Sequence, residues 1–366
     1  MADFELGCTA CGTRHAPDMT TLGCRECAAP LEVVYDGSAV AGGTTPMPFR
    51  QAESRSLLPP RETPLVRLPR LGRELGLARL SAKLEFESLT GSFKDRGTSV
   101  MIAVAVESGV TELVEDSSGN AGASVAAFSA RTGIRAHVFA PATAPAAKLT
   151  QIEVYGATVH AVDGTREETA QAAVDFYRDR DLVYASHALS PYFLEGTKTF
   201  AYEVLQQSGG GLPDHIVFPV GNGSLLLGAW KGLKELFEAG QIADMPKLHC
   251  VQSEAVRPIA AARNAEEWSP ANAGRTVAGG IAVAAPARLR QIVEALGATS
   301  GTAVTVDEAA IVEWQRLLAG REGIFAEPTS AAVFAGLSWL VADGTIGEGE
   351  SVLVPVTGAG PKDRLP

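Results

Sequence analysis

Residues 89–99 have the sequence LTGSFKDRGTS, in which a single lysine, Lys94, follows a phenylalanine and precedes an Asp-Arg pair. Glycines on both sides indicate a tight turn that leads into a helix. One interpretation is a solvated lysine in the first turn of that helix, because lysine is a good helix former. The other is a lysine held in place for chemistry, and motifs elsewhere in the chain decide between the two.

Composition excludes several classes of protein. The 366 residues are 46% hydrophobic and 20% charged, which favours a large folded core over a disordered chain. A net charge of -11 argues against binding to a nucleic-acid backbone, which needs clustered cations. The first residues lack the basic-then-apolar pattern of a secretory signal, and the longest apolar run, at 331–342, is too short to span a bilayer. We therefore predict a cytoplasmic protein with no nucleic-acid or membrane partner.

Four of the five cysteines form two Cys-x2-Cys pairs near the N terminus, and these are Cys8, Cys11, Cys24 and Cys27. Two such pairs on turns of small residues fit the tetrahedral coordination of zinc by four sulfur atoms. The alternatives are a disulfide pair, which a reducing cytosol disfavours, and chance. The pattern predicts a zinc ribbon at 1–34 that ends in a strand. Cys250 lies alone in an apolar run and is predicted to be a core residue.

The amino-acid composition of the chain changes after the ribbon. Residues 35–60 are rich in Gly, Pro, Thr and Ser and predict a linker or wrapping segment. From about residue 78 onward, short β-rich runs such as 135–141 and 247–253 alternate with helical stretches, which implies an α/β fold with mainly parallel sheets covered by helices. The predicted helices are 98–108, 121–132, 166–178, 198–208, 225–238 and 307–319.

A second glycine-rich turn, PVGNGSLLLG at 219–228, lies between a predicted strand and an amphipathic helix. Its backbone amides at 221–225 could wrap a phosphate at the positive end of that helix. The spacing differs from the dinucleotide pattern G-x-G-x-x-G, and no Gly-Lys-Ser/Thr follows to make a P-loop. A merely tight strand–helix turn is the remaining alternative.

A third turn, DSSGNAGAS at 116–124, precedes an alanine-rich helix. Two serines, an asparagine and a helix N-terminus favour a receptor for a carboxylate group. The alternative is an ordinary helix cap, with Ser117 or Ser118 as the N-cap residue.

Together these motifs resemble those of the fold-type II pyridoxal-phosphate enzymes, in the threonine synthase branch. The family's lysine motif, Thr-Gly-Ser-Phe-Lys-Asp-Arg-Gly, is followed in the same order by Ser-Ser-Gly-Asn, EGTKT (195–199), EPTSAA (327–332) and TGAGPKD (357–363). The resemblance covers roughly residues 60–363, and some members also carry a four-cysteine ribbon. It implies a tryptophan synthase β-like catalytic region at 35–366, with a smaller subdomain at about 98–190 inserted in the larger cofactor-binding domain. It also implies a homodimer by analogy.

The resemblance assigns roles to individual residues. Lys94 would bond covalently to the aldehyde of pyridoxal phosphate and later remove the α-proton of an amino-acid substrate, and burial beside Phe93 would lower its pKa. Thr357 would face the pyridine nitrogen, and a hydroxyl there suits elimination or replacement better than transamination. The implied contacts to the cofactor phosphate are Gly221, Asn222, Gly223, Ser224 and Leu225. Asn120 would contact the cofactor's phenolic oxygen. The substrate carboxylate would be bound by Ser118, Gly119 and Ala121.

The nearest activity in the family is threonine synthase, which eliminates phosphate from O-phosphohomoserine and adds water. A serine/threonine-type deaminase and a β-replacing, cysteate synthase-like enzyme are the alternatives. In the family one helix starts with Arg-x-Glu-Gly-Gln-Lys-Thr, and we take its arginine to bind the substrate's phosphate. Here Phe193 replaces that arginine and Thr197 the glutamine. This predicts that Phe193 contacts the substrate. It also predicts poor use of O-phosphohomoserine, unless Lys198 supplies the missing charge. Phe193→Arg is then expected to improve the use of O-phosphohomoserine selectively.

A non-catalytic zinc-ribbon protein is an interpretation from another class, and the intact lysine, phosphate turn and threonine argue against it. The remaining polar residues, among them Glu195 and Lys198, are predicted to be structural. Asp95 and Arg96 are expected to hold the lysine turn through a local ion pair, and five of the six histidines show no clustering with other ligand types. His187, just ahead of the EGTKT helix, is the one histidine that we would test.

Overall fold

The computed structural model describes residues 4–35, 45–57, 62–144, 146–209 and 211–362. The strands are β1 (Phe4–Cys8), β2 (Arg14–His15), β3 (Leu31–Tyr35), β4 (Leu65–Arg67), β5 (Arg79–Lys83), β6 (Glu112–Glu115), β7 (Arg135–Pro141), β8 (Thr158–Val162), β9 (Val183–Tyr184), β10 (His215–Pro219), β11 (Lys247–Ser253), β12 (Ala303–Val306) and β13 (Ser351–Pro355). The helices are α1 (Ala52–Arg55), α2 (Pro69–Glu74), α3 (Lys94–Glu107), α4 (Asn120–Thr132), α5 (Ala146–Val154), α6 (Arg166–Asp179), α7 (Pro191–Thr197), α8 (Thr199–Gln207), α9 (Ser224–Glu238), α10 (Pro258–Arg263), α11 (Leu289–Ala298), α12 (Glu308–Glu322) and α13 (Pro328–Ala342).

The chain forms two compact units. The first unit comprises the described parts of Met1–Arg61 and Ser88–Thr199, and the second unit those of Glu62–Glu87 and Phe200–Pro366. In the first unit β2-β1-β3 form an antiparallel sheet, and β8-β7-β6-β9 form a parallel one. One hydrophobic core joins the strands of the N-terminal ribbon to α3 and α7, because Leu6, Leu31, Met101 and Phe193 belong to the same buried cluster.

In the second unit six strands form one sheet in the order β12-β11-β10-β13-β5-β4. All neighbours are parallel except β4 and β5, which are antiparallel. Helix α13 packs into the core of this unit through Phe334, Leu337 and Leu340. The α/β fold with mainly parallel sheets is therefore confirmed.

The observed elements differ from the predicted ones at particular places. Helix α3 starts at Lys94, not at residue 98, so the lysine belongs to the helix itself. Helix α13 was not predicted because it is apolar on nearly all sides and shows no helical periodicity. The predicted linker at 35–60 lies partly outside the described residues, and its described part contains α1 and the buried side chains of Met47 and Phe49.

Cys250 is fully buried, as predicted. Within the described residues, no helix has the length and apolarity needed to cross a membrane.

Helices α3 and α7 approach each other closely because glycines lie at their contact. A Cβ atom on Gly97 would lie 2.4 Å from a ring carbon of Phe193, and one on Gly196 would lie 1.9 Å from the carbonyl oxygen of Arg96. The backbone of α3 therefore depends on glycine where it meets α7.

Replacing Gly97 with alanine is expected to destabilise the protein by about 1–3 kcal/mol, because the methyl group would overlap the buried Phe193 ring. Gly320 in α12 is the matched control, since no atom lies within 4 Å of its added Cβ. Gly320→Ala is expected to stabilise the helix by roughly 0.5–1 kcal/mol. Denaturant unfolding of both variants measures the difference, and equal effects would contradict the close helix contact.

Candidate active site

Lys94 lies between two aromatic rings of the first unit. Its side chain is half-buried, and its Nζ is 4.7 Å from the ring centroid of Phe93 and 5.6 Å from that of Phe193. Phe93 precedes the lysine in the chain, whereas Phe193 is brought there by α7. The amine therefore has an apolar wall on two sides, the surroundings that the resemblance implies for a reactive lysine.

The turn before Lys94 is closed by Asp95. This buried carboxylate accepts hydrogen bonds of 2.7 Å from both the amide and the hydroxyl of Thr90, and a third of 2.7 Å from the hydroxyl of Ser124. Arg96 donates instead to the hydroxyl of Thr199 at 2.8 Å. The predicted local ion pair between Asp95 and Arg96 is therefore wrong. Consecutive residues on a helix point in different directions, so each side chain finds its own partner.

The Ser-Ser-Gly-Asn loop follows β6 and leads into α4. The N-cap residue of α4 is Gly119, so the alternative in which Ser117 or Ser118 caps the helix is wrong. A Cβ on Gly122 would lie 1.9 Å from the carbonyl oxygen of Ser117, which shows how tightly the loop folds over the first helical turn. The predicted carboxylate and cofactor contacts on this loop and turn are Ser118, Gly119, Asn120 and Ala121. Their position at the positive end of a 13-residue helix suits an anionic group.

The predicted phosphate turn joins β10 to α9 in the second unit. Gly223 has φ +76 and is the N-cap residue, so the helix starts at Ser224. A Cβ on Gly221 would lie 2.7 Å from the carbonyl oxygen of Gly280, so the turn lies against another backbone segment. The first amides of a helix lack partners within that helix and point along its positive end. The amides at 221–225 lie at this positive end, a position that favours a phosphate group.

Thr357 follows β13 and is buried in the second unit. Its hydroxyl lies 2.9 Å from the hydroxyl of Ser330, and the amides of Thr357 and Gly358 donate to the same serine oxygen at 2.9 and 3.0 Å. Ser330 fixes the threonine loop, a role that the sequence analysis did not assign although the serine lies in the quoted motif at 327–332. The Thr357 hydroxyl also lies 3.5 Å from a carboxylate oxygen of Glu327, and its contact with the pyridine nitrogen stays a prediction.

An acidic pair and a histidine lie beside the Ser-Ser-Gly-Asn loop. Glu115 ends β6, and one of its carboxylate oxygens is 3.0 Å from Nδ1 of His187, while Asp116 pairs with Arg166 at 2.7 Å. Burial and then the charge of Asp116 raise the pKa of Glu115 well above its ordinary value. Burial and then the charge of Lys94 lower the pKa of His187 to about 3. Both directions favour an uncharged Glu115–His187 pair.

Helix α7 carries the side chains that replace the family's phosphate-binding arginine and glutamine. Phe193 is fully buried, and Lys198, just after the helix, lies 2.7 Å from a carboxylate oxygen of Glu195 with both side chains fully buried. The hydroxyl of Tyr35, at the end of the ribbon strand β3, donates to the same Glu195 oxygen at 2.5 Å, and Nζ of Lys198 lies 4.4 Å from the Tyr35 ring centroid. The charge of Lys198 is therefore neutralised within the first unit.

Comparison with known proteins gives the family. A family described as "Pyridoxal-phosphate dependent enzyme" matches residues 57–358. The chain belongs to this family. It is 34% identical to the threonine synthase of Methanocaldococcus jannaschii, over 97% of this chain and 92% of that protein. The fold is similar to that of an L-serine ammonia-lyase from Rhizomucor miehei, with a TM-score of 0.72 at 23% identity over 82% of this chain and 94% of the other. It is similar also to the T.th. threonine deaminase, with a TM-score of 0.68 at 26% identity over 83% and 94%.

The predicted cofactor, pyridoxal phosphate, and the prediction of a lyase that eliminates or replaces a group at Cβ or Cγ are confirmed. Within this pyridoxal-phosphate enzyme, Lys94 and the Ser-Ser-Gly-Asn loop belong to the first unit, and the phosphate turn and Thr357 belong to the second. The donor sets described above fit the cofactor that the family implies. The roles of the individual residues stay predictions.

The four cysteines of the enzyme's N-terminal ribbon come together as the sequence predicts. Their sulfur atoms all lie within 4.8 Å of one another, and all four are free thiols, so the disulfide alternative is wrong. Cys8 and Cys27 are 3.4 Å apart, and Cys11 lies 3.6 Å from both Cys24 and Cys27. Zinc–sulfur bonds of ~2.3 Å in a tetrahedron place sulfur atoms about 3.8 Å apart, so the cluster fits a zinc ion.

Several histidine contacts were also missed by the sequence-based prediction. Nε2 of His15 lies 3.4 Å from the sulfur of Cys24, beside the cysteine cluster. His137 lies 3.0 Å from His160, and His215 lies 2.8 Å from His249. The prediction that these histidines do not cluster with other ligand types is wrong for His15, which lies beside Cys24, and for His137, which is hydrogen-bonded to Glu112, because the fold brings together residues that are far apart in sequence. Their structural role stays a prediction. The alternating strand pattern could have suggested the two pairs, since each pair lies on neighbouring strands.

Proposed function

We propose that the enzyme eliminates or replaces a small, non-phosphorylated substituent at Cβ of an amino acid, and that O-phosphohomoserine is a poor substrate. The observation that carries this proposal is the absence of a usable cation on α7 and in the residue that follows it, all of which the structure describes. Phe193 occupies the position of the family's arginine and is fully buried, and Lys198 is neutralised by Glu195. An apolar ring suits a smaller and less charged side chain than a phosphate ester.

We propose the following roles for the enzyme's own residues, and the geometry described above supports them. Lys94, between its two aromatic rings, binds the cofactor and removes the α-proton of the substrate. The Ser-Ser-Gly-Asn loop with Asn120 orients the substrate carboxylate and the cofactor, the amides at 221–225 hold the phosphate, and Thr357 faces the pyridine nitrogen. When bound, pyridoxal phosphate supplies an electron sink that stabilises the charge left at Cα.

Two other functions in this class have a specific observation in their favour. The Methanocaldococcus jannaschii relative favours threonine synthase, because its likeness extends over 97% of this chain. The 26% identity with the T.th. threonine deaminase favours a β-eliminating deaminase. The deaminase agrees with an apolar ring at Phe193, whereas threonine synthase requires a phosphate contact from some other residue.

A substrate panel tests the proposal. The enzyme is incubated with free hydroxy, O-acetyl and O-phospho amino acids, and released acetate, phosphate and keto acid are measured. We expect turnover of a non-phosphorylated member to exceed that of O-phosphohomoserine. Efficient release of phosphate with formation of threonine would overturn the proposal.

We propose also that the ribbon binds one structural zinc ion through Cys8, Cys11, Cys24 and Cys27. All four coordination positions are then filled by protein, so the metal has no open position for substrate or water. The ribbon supports α7 through Tyr35, and its role is structural.

Metal analysis is expected to find about one zinc per chain. Cys8→Ser or Cys24→Ser should lower the zinc content and loosen the ribbon without removing the absorbance of the bound cofactor. Cys250→Ala, a substitution in the second unit, is the control and should keep the zinc. Activity that requires a freely exchangeable metal would contradict a structural site.

Three further expectations from the sequence complete the proposal. The catalytic region spans 35–366, with the smaller subdomain at about 98–190. The enzyme is a homodimer, which light scattering on the purified protein tests directly. It acts in the cytoplasm, which fractionation of its host cell tests.

A further inference from the structure

Strand β6 has a glutamate at each end, and each glutamate pairs with a histidine. Glu112 at its start is hydrogen-bonded to His137, and Glu115 at its end to His187 at 3.0 Å. We infer that His187, backed by Glu115, is the acid that protonates a departing hydroxyl group, so that the substrate is a β-hydroxy amino acid. This inference rests on the proposed function and narrows its substrate class.

The location of His187 agrees with this role. Its ring lies 6.2 Å from the ring of Phe193, and the Phe193 ring lies 5.6 Å from Nζ of Lys94. Glu115 directly precedes the loop that is proposed to bind the substrate carboxylate. The proposed base, the carboxylate receptor and the Glu115–His187 pair therefore all lie in the first unit, and His187 and Lys94 both lie next to the Phe193 ring.

The burial of the pair and the polar groups around it favour a proton on the carboxyl group. Glu115 is fully buried, and its second oxygen has no hydrogen-bond partner among the described residues. The neighbouring cation, Arg166, pairs with Asp116 and not with Glu115. Burial with the charge of Asp116 raises the pKa of Glu115, and burial with the charge of Lys94 lowers that of His187. The carboxyl group then donates to Nδ1, and the ring's other hydrogen is on Nε2.

In the proposed elimination, Lys94, His187 and Glu115 account for every proton that is donated or accepted. Nζ of Lys94 takes the α-proton, and the electron pair of the Cα–H bond forms the Cα=Cβ double bond. The Cβ–O bond breaks with its electron pair going to oxygen, which takes the proton of His187 Nε2 and leaves as water. The proton of Glu115 moves to Nδ1, so the imidazole stays neutral. The lysine ends as an ammonium and the glutamate as a carboxylate, and one proton passed between them restores both.

The chemistry of the leaving group connects the acid to the substrate class. Hydroxide is a poor leaving group and departs readily only when protonated, so a positioned acid contributes about 10²–10⁴-fold to its rate. Phosphate, acetate and chloride depart as stable anions and do not require the proton. An enzyme in which an uncharged acid and the lysine both lie next to the Phe193 ring is therefore suited to β-hydroxy amino acids.

The test compares leaving groups in two variants of the holoenzyme, His187→Asn and Glu115→Gln. We expect kcat/KM for serine or threonine to fall by about 10²-fold or more, because the proton donor is lost. We expect kcat/KM for 3-chloroalanine to stay unchanged, because chloride needs no proton. Exchange of the substrate α-proton in heavy water, followed by NMR, should also persist, since Lys94 performs that step. His137→Asn and Glu112→Gln are the matched controls at the other end of β6, and we expect them to leave kcat/KM unchanged for both kinds of substrate.

The other outcomes of this experiment would contradict either the inference about His187 or the proposed function. An equal loss on both substrates would give His187 a structural role and overturn the inference. A wild-type enzyme that uses 3-chloroalanine or O-acetylserine but no β-hydroxy amino acid would also overturn it, while the proposed function stands. A wild-type enzyme that uses only O-phosphohomoserine would overturn the proposed function itself. The near-isosteric Glu115→Gln decides the matter if His187→Asn fails to fold or to bind cofactor.

Discussion

Lys94→Ala is expected to abolish turnover while the protein still binds pyridoxal phosphate through the turn at 221–225. Loss of a positioned general base alone removes about 10²–10⁴-fold of the rate, and loss of the covalent link to the cofactor removes more. The wild-type protein should be coloured by its bound cofactor, and borohydride should attach that cofactor permanently to Lys94. Mass spectrometry of the digested protein identifies the labelled lysine.

Two other lysines provide the contrast for this experiment. Lys83 and Lys198 are fully buried, and each forms an ion pair with a glutamate, Glu203 and Glu195 respectively. Each amine is already held by its carboxylate partner, which keeps it from reaching the cofactor aldehyde. A borohydride label on either one, or a purified protein that never takes up the cofactor, would contradict the assignment of Lys94.

Local sequence signals predicted the framework well. The strands at 135–141 and 247–253 have the predicted bounds, because short β-rich runs between turn residues determine them. Helices α4 and α9 start within one residue of prediction, since a glycine before each marks the boundary. The start of α3 was placed four residues late. Asp95 extends that helix toward the turn by accepting hydrogen bonds from Thr90, a contact that helix propensity does not encode.

Pairings across long sequence separations were beyond prediction. The sequence predicts a structural role for Glu195 and Lys198, but not the hydroxyl of Tyr35, 160 residues away, that completes their contact. The burial of Phe193 against Gly97 depends on how α3 and α7 cross, which periodicity does not determine. The partner of His187, a glutamate at the end of an apolar strand, likewise became visible only in the fold. Tertiary contacts of this kind depend on the arrangement of whole elements.

O-Phosphohomoserine is expected to be used at least an order of magnitude less efficiently than the preferred substrate. An arginine gives a phosphate two charge-assisted hydrogen bonds, which the phenyl ring of Phe193 cannot replace. Loss of one such buried contact costs roughly 2–5 kcal/mol. Lys198 does not compensate, because Glu195 and Tyr35 hold its ammonium in the buried pair. Steady-state kcat/KM for phosphate release, set against that for the preferred amino acid, measures the difference.

The sequence suggests that Phe193→Arg selectively improves the use of O-phosphohomoserine, but the structure leads us to expect a different result. The ring is fully buried against Gly97, and its centroid lies 5.6 Å from Nζ of Lys94, so an arginine there would bring a second cation into a buried site beside the first. Desolvation and like charge both oppose this arrangement. We therefore expect Phe193→Arg to lower the melting temperature and to slow every substrate, and Phe193→Met, an apolar control, to keep the substrate preference. Efficient phosphate release by the wild-type enzyme would show that another cation binds the phosphate. A selective gain in Phe193→Arg would show that the arginine side chain finds the position it has in the family.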